Sequence, residues 1–181
     1  MNQIIILNKK TKITPEIKSK GLVIDVTSKA TDLYVELSPF YPIGNLEVPF
    51  VCAAKSECVE GIWQGLKVFE NEGIDVKTFR NGTMKNIKRT VRKHGKVLGH
   101  YAGKDQPLLS YLDARYKIYI PAYNQQIELF VKKHPVEVKY LKYYLKNKGN
   151  IYLLDYNTNE DVDDTSKPLS HASLFKKYLL K

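Results

Sequence analysis

The stretch Val59–Phe69, reading VEGIWQGLKVF, constrains the fold of this chain more than any other. At 100° per residue, Val59, Ile62, Trp63, Leu66 and Phe69 fall on one apolar stripe, which predicts an amphipathic helix buried along one side. Gly61 and Gly65 lie four apart on a second face, and Glu60, Gln64 and Lys67 line a third beside the Trp63 indole. A glycine in a helix interior costs roughly 1 kcal/mol relative to alanine. A helix that keeps two implies close approach of another backbone or of a ligand. Glu60, a carboxylate next to an aromatic ring, is a candidate for chemistry; the plainer alternative is a solvated residue flanking a core stripe.

Just upstream, Leu37–Ser38–Pro39–Phe40–Tyr41–Pro42–Ile43–Gly44 places an aromatic pair between two prolines. Each proline fixes its own φ and pushes the preceding residue to extended geometry. The expected result is a stiff, irregular loop presenting Phe40 and Tyr41. Such rings stack on a base or ribose, or plug a core.

Ser38–Pro39–Phe40–Tyr41–Pro42, a short apolar strand, then Val59–Glu60 with Gln64 and Lys67–Val68–Phe69 together resemble the signature of the NADAR superfamily. That signature has an S-N-F-Y-P loop, a V-E-H-x-x-Q-x-x-K-F helix and a glycine after a basic helix, for which Gly99 is the nearest match. The resemblance covers residues 37–70 well and extends weakly to Gly99 and the C-terminal acidic segment. The chain is similar more closely still to a group of bacterial and phage proteins sharing LSPFYP, VEGIWQGLKVF and PLSHA. The resemblance implies a NADAR-like fold and an N-glycosidase that hydrolyses a base–ribose bond in an ADP-ribose or related N-ribosyl conjugate, with Glu60 as the key carboxylate. Gly61 stands where that family has histidine and Pro39 where it has asparagine. The family's late D-x-x-W-G element is missing; the nearest counterpart is the acidic region from Asp155 to Asp164, followed by Pro168–Leu169–Ser170–His171.

Net charge is +10, and residues 77–104 hold nine Lys or Arg and no Asp or Glu. Lys85, Lys88, Arg89, Arg92, Lys93 and Lys96 are spaced to cover much of one expected helix over Met84–His94. A surface of this kind attracts polyanions, and its binding falls steeply with salt. Asp155, Glu160, Asp161, Asp163 and Asp164 cluster in one loop without the glycine-centred spacing of an EF-hand. Cys52 and Cys58 are six apart with no nearby histidine, a spacing of neither a zinc pair nor a Cys-x-x-Cys; reduced structural cysteines are expected. No metal and no cofactor are implied. No apolar run reaches the roughly 18 residues of a membrane span, and Ile4–Leu7 is too short for a signal-peptide core. A cytoplasmic protein of a bacterium or phage-infected cell, without membrane partners, is expected.

The chain's length suits one domain, residues 1–181. Strands are expected at Gln3–Asn8, Leu22–Thr27, Tyr34–Leu37, Leu46–Val51 and Ile151–Tyr156. Helices are expected at Cys58–Asn71, Met84–His94, Leu108–Phe130 with a break at Pro121, Pro135–Lys148 and Leu169–Leu180. Strands first and a mainly helical C-terminal part predict an α+β fold. The expected site comprises Glu60 with one of Asp155, Asp163 or Asp164 as a second carboxylate, and Ser38, Phe40, Tyr41, Trp63, Gln64, Lys67, Arg89, Arg92 and Gly99 around an ADP-ribosyl or nucleotide substrate. Arginines suit the pyrophosphate because a guanidinium matches phosphate oxygens bidentately. The alternative is a protein without catalysis that binds nucleic acid or a host protein, with Glu60 structural.

Overall fold

The computed structural model describes residues 2–181. The chain is α+β and gathers into two compact units: the residues up to Ser38 together with Ile127–Lys181, and Pro39–Gln126.

The first unit is built on three parallel strands in the order Ile4–Asn8, Asn150–Asp155, Gly21–Asp25. Near-continuous runs of Ile, Leu and Val are what a parallel strand covered on both faces requires, and Ile151, Leu153 and Leu154 of the central strand are buried. The C-terminal strand thus inserts between the two N-terminal ones, with Ile4 opposite Ile151 and Leu22 also opposite Ile151. Gly21 has no room for a side chain, since a Cβ there would lie 2.1 Å from the Asn150 carbonyl oxygen. The helices Pro135–Asn147 and His171–Leu179 pack on the central strand. Each starts as its sequence dictates, with Pro135 in the first turn and the Ser170 hydroxyl accepting from the Ser173 N–H. A short helix, Pro15–Lys20, capped by Thr14, has the same proline signal and was not expected. The expected strand Tyr34–Leu37 is a 3-10 turn, Leu33–Leu37. The Asp32 carboxylate accepts from the Tyr34 N–H there and starts a helical turn despite the β-branched and aromatic composition.

In the second unit, the helix expected over Cys58–Asn71 stops at Gly65. It spans Val59–Gly65 and gives way to a strand, Lys67–Phe69, paired antiparallel with Val97–His100. Val59, Ile62, Trp63 and Leu66 keep the predicted buried stripe, and Phe69 is buried from the strand. The strand expected over Leu46–Val51 is only Leu46–Glu47, paired with Lys55–Ser56. Phe50 and Ala53, at φ of 66° and 56°, turn the chain between them. The basic helix expected over Met84–His94 is reduced to one turn, Val91–His94. Met84 and Asn86 take φ of 59° and 56°, values that no right-handed helix accommodates. Pro121 does not break its helix. Tyr111–Ala114, a π-helical turn Arg115–Tyr119 and Ile120–Lys133 follow one another, and the Ile120 N–H reaches the Arg115 carbonyl five residues back. The wide turn directly precedes the proline, whose missing N–H and ring an ordinary α-helical turn tolerates poorly.

No helix among the described residues is long and apolar enough to cross a membrane.

Candidate functional site

Glu60 occupies the first turn of the Val59–Gly65 helix, where a carboxylate is favoured by the helix dipole, and it is buried. Its backbone N–H donates to the Pro39 carbonyl at 2.8 Å. Two segments far apart in sequence, the Pro39–Pro42 loop and the helix, are therefore joined at this residue. One turn on, the Gln64 side-chain amide donates to Glu60 Oε1 at 2.8 Å. Gln64 Oε1 in turn accepts from Lys67 Nζ at 3.1 Å and from the Arg89 backbone N–H at 3.2 Å. Carboxylate, amide and ammonium form one hydrogen-bonded chain. Burial, with Lys88 and Arg89 nearby, holds the Lys67 ammonium below its usual pKa against the opposing pull of Glu60.

Trp63 projects from the same helix into an aromatic box. The His100 ring lies 4.1 Å from it, and Tyr111 and Tyr119 meet it edge-on at 5.7 and 5.6 Å. Lys67 Nζ stands 5.8 Å from the indole centroid, within cation–π range. The π-helical turn supplies Tyr119 and the buried Arg115, whose guanidinium lies 4.7 Å from the Tyr111 ring.

The two glycines are explained by the protein itself. A Cβ on Gly65 would lie 2.3 Å from the Phe79 ring and 2.9 Å from the Asp75 carbonyl oxygen; one on Gly61 would lie 2.9 Å from both Ser56 Oγ and the Thr78 carbonyl oxygen. The close approach is thus made by residues 75–79, and a histidine at position 61 has no space in this packing. Gly99 is explained in the same way: φ is +156° and a Cβ would sit 2.7 Å from the Leu109 carbonyl oxygen.

Arg89, expected to face a pyrophosphate, is buried and turned inward. Its guanidinium donates to the carbonyls of Gln64 (3.1 Å), Lys67 (2.7 Å) and Gly73 (2.7 Å) and pairs with Glu72. It stitches the helix to the following strand and loop. Arg92, by contrast, is exposed on the one-turn helix, with Lys85, Lys88, Lys93 and Lys96 also exposed. Phe40 and Tyr41 are half-buried, and Lys88 Nζ lies 5.7 Å from the Phe40 ring.

The remaining expected residues belong to the first unit. Ser38 is buried at the end of the 3-10 turn, where its N–H donates to the Val35 carbonyl. Asp155 ends the central strand, buried and engaged. Its Oδ2 accepts from Ser170 Oγ at 2.7 Å and the Ala172 N–H at 3.3 Å, and pairs with His171 Nδ1 at 3.0 Å. The other nitrogen of His171 meets the Val26 carbonyl at 2.9 Å. Burial would raise the Asp155 pKa, but His171 and these donors outweigh it and hold the carboxyl below its usual range. Burial would lower His171, but Asp155 outweighs it and raises the imidazole. Asp164 is tied to its own turn, accepting from the Ser166 N–H and hydroxyl. Asn159, Asp161 and Asp164 cap neighbouring N–H groups, and among the described residues no group of three or more His, Cys, Asp or Glu is arranged to hold a metal ion. Cys58 is a buried helix cap whose Sγ accepts from the Gly61 N–H; burial pushes its thiol up to about 11. Cys52 is exposed, and both thiols are free.

The sequence reading missed His100, Tyr111, Tyr119 and Arg115. The strand that carries His100 had no recognisable alternation, and the π-helical turn shifts the spacing by which Tyr119 would have been placed.

A family model described as a family of unknown function, DUF6939, matches residues 7–175. The chain belongs to that family. The matched span includes every residue of the Glu60 network and the Asp155–His171 pair. No curated protein and no solved structure matches the chain.

Proposed function

We propose that this DUF6939 protein is an N-glycosidase-type hydrolase acting on an ADP-ribose or related N-ribosyl nucleotide conjugate, with Glu60 as its key carboxylate. The observation that carries the reading is the Glu60–Gln64–Lys67 chain, buried beside Trp63 and bonded through the Glu60 N–H to Pro39. It supports the NADAR resemblance because the loop and the helix that carry that resemblance meet at the one residue the resemblance makes catalytic. In this mechanism the C–N bond breaks with its electron pair leaving on the base, and Glu60 stabilises the positive charge that develops at the anomeric carbon. A water then adds there and gives its proton to Glu60, while the departing base takes a proton from Lys67, whose ammonium is the easier to deprotonate for being buried. Gln64 holds Glu60 in place, and after the products leave, solvent takes the proton from Glu60 and returns one to Lys67. The second carboxylate expected at Asp155, Asp163 or Asp164 has no part in this scheme.

The test is turnover followed by mass spectrometry, with ADP-ribosylated guanine in DNA, ADP-ribosylated protein, NAD and ADP-ribose as substrates. Wild type should release the free base or ADP-ribose, and Glu60→Gln, folded, should be slower by about 10²–10⁴-fold. Silence of wild type on all four substrates defeats the reading.

A second reading, polyanion binding without catalysis, is favoured by the exposed Lys85, Lys88, Arg92, Lys93 and Lys96 on one irregular segment. It predicts nucleic-acid affinity that falls steeply with salt, weakens on Arg92→Ala and ignores Glu60→Gln.

A further inference from the structure

His100 is the one histidine the Glu60 network does not use although it lies against that network's tryptophan. It is 1% exposed, and neither ring nitrogen has a hydrogen-bond partner among the described residues. Its backbone is fully occupied, donating to and accepting from Leu109, so the imidazole has no secondary-structure duty. Buried polar groups are nearly always paired, and each exception calls for an account. A phenylalanine or leucine would fill the same volume without two orphaned nitrogens. The two unpaired nitrogens leave a donor and an acceptor available to a bound group.

The surroundings indicate what that is. Imidazole and indole overlap at 4.1 Å with 38° between planes. Tyr111, which closes one side of the box edge-on to Trp63, is 42% exposed. It is the most exposed residue of the box. Burial, reinforced by Lys67, holds the imidazole pKa at about 3. The ring is thus neutral at physiological pH, with one nitrogen donating and the other accepting. A neutral donor–acceptor ring among aromatic faces is suited to an uncharged, planar, polar heterocycle and ill-suited to phosphate.

We infer that Trp63, His100 and Tyr111 form a subsite for the heterocyclic base of a nucleotide, reached past Tyr111, in which His100 hydrogen-bonds the polar edge of the base. This rests on the glycosidase reading for its place beside Glu60, but its binding is testable without turnover.

Trp63 is the sole tryptophan, so intrinsic fluorescence reports on the box alone. Guanosine monophosphate and adenosine monophosphate should shift the Trp63 emission saturably, and ribose 5-phosphate should not. His100→Phe keeps the ring stack and deletes both nitrogens. It should melt at or above the wild-type temperature, while affinity for the two base-containing probes falls at least tenfold. Affinity unchanged in His100→Phe overturns the inference, and so does wild type that responds equally to ribose 5-phosphate. Should His100→Phe fail to fold, the ¹⁵N spectrum of histidine-labelled wild type decides: a saturable shift of the His100 ring nitrogens with guanosine monophosphate supports the subsite, and no shift overturns it. The two readings fail separately. Glu60-dependent turnover with KM unchanged in His100→Phe removes the subsite and leaves the glycosidase; base binding lost in His100→Phe without turnover by wild type removes the glycosidase and leaves the subsite.

Discussion

Gly65→Ala tests whether the glycines of the Val59–Gly65 helix serve packing or ligand approach. Two effects oppose each other. Alanine gains at most about 1 kcal/mol over glycine from helix propensity, less here because position 65 is the last of the helix. Against this, the new Cβ would stand 2.3 and 2.7 Å from two carbons of the Phe79 ring, where ordinary contact begins at 3.4 Å. The ring must retreat by about 1 Å. Phe79 is buried, and its own carbonyl accepts from Glu57 N–H and Ser56 Oγ, so it has little freedom to move. The 2.9 Å approach to the Asp75 carbonyl oxygen falls on backbone, which gives less readily still. Overpacking of this kind costs about 1–3 kcal/mol, and three simultaneous close contacts place it at the upper end. The net expectation is destabilisation by about 2 kcal/mol, or a Tm lower by roughly 4–8 °C for a chain of this size. Thermal and urea melts of the variant and wild type measure it. Gly73→Ala is the control: a Cβ there meets nothing within 4 Å, so its stability should stay within about 0.5 kcal/mol. Phe79→Leu combined with Gly65→Ala should recover about 1 kcal/mol relative to additivity, because the smaller side chain yields the space. A Gly65→Ala protein as stable as wild type would refute the packing argument; loss of nucleotide affinity alone would put a ligand back against this face.

Arg89→Lys should cost about 2–3 kcal/mol in a urea melt, because one ammonium cannot bridge the Gln64, Lys67 and Gly73 carbonyls that the guanidinium reaches; an unchanged midpoint would show those bonds to be dispensable. The Asp155–His171 pair gives stability two pH limbs. Asp155, held below its ordinary 3.8, contributes stability that is present above that value and lost as pH falls through the lowered folded value. His171, raised above its ordinary 6.5, contributes stability that is present below 6.5 and lost as pH rises through the raised folded value. Asp155→Asn should flatten both limbs in urea melts at a series of pH values and lower stability by about 3–5 kcal/mol at neutrality, as removal of one partner from a buried pair does; limbs that persist in the variant would assign them to other groups.

What was legible in the sequence was local. Pro135 and Ser170 mark helix starts through one residue's own geometry and hydrogen bonding, and the apolar runs Ile4–Leu7 and Ile151–Leu154 announce strands, the second of them buried. The stripe Val59–Leu66 was readable for the same reason. What was not legible depended on contacts distant in sequence. Lys67–Phe69 continues the helical period of the preceding residues, yet it is a strand because Val97–His100 pairs with it. The basic run 84–94 has helical spacing, but Ile87 and Arg89 are buried in the second unit and hold the segment in an irregular path. Within the site, Glu60, Gln64 and Lys67 were readable as one helical face, although Lys67 reaches Gln64 from the strand. Arg89 was misread because a basic residue in a basic run looks solvated; only the fold shows three carbonyls converging on it.

The carboxylates divide by what is already bonded to them. Asp155 Oδ2 holds three donors and is stabilised as an anion, so it neither releases a proton at neutral pH nor offers that oxygen to water. Asp164 is held by Ser166 within an exposed turn. Glu60 differs from both: buried, it accepts through Oε1 from a neutral amide, and no cation sits directly on it, since Gln64 stands between it and Lys67. A carboxylate separated from its nearest ammonium by an amide makes no direct ion pair with it. An ion pair at the same place would have spent the carboxylate's charge in advance. The mechanism proposed above asks for a buried, oriented negative charge beside an oxocarbenium-like centre, and of the three carboxylates Glu60 is the one whose contacts fit that request.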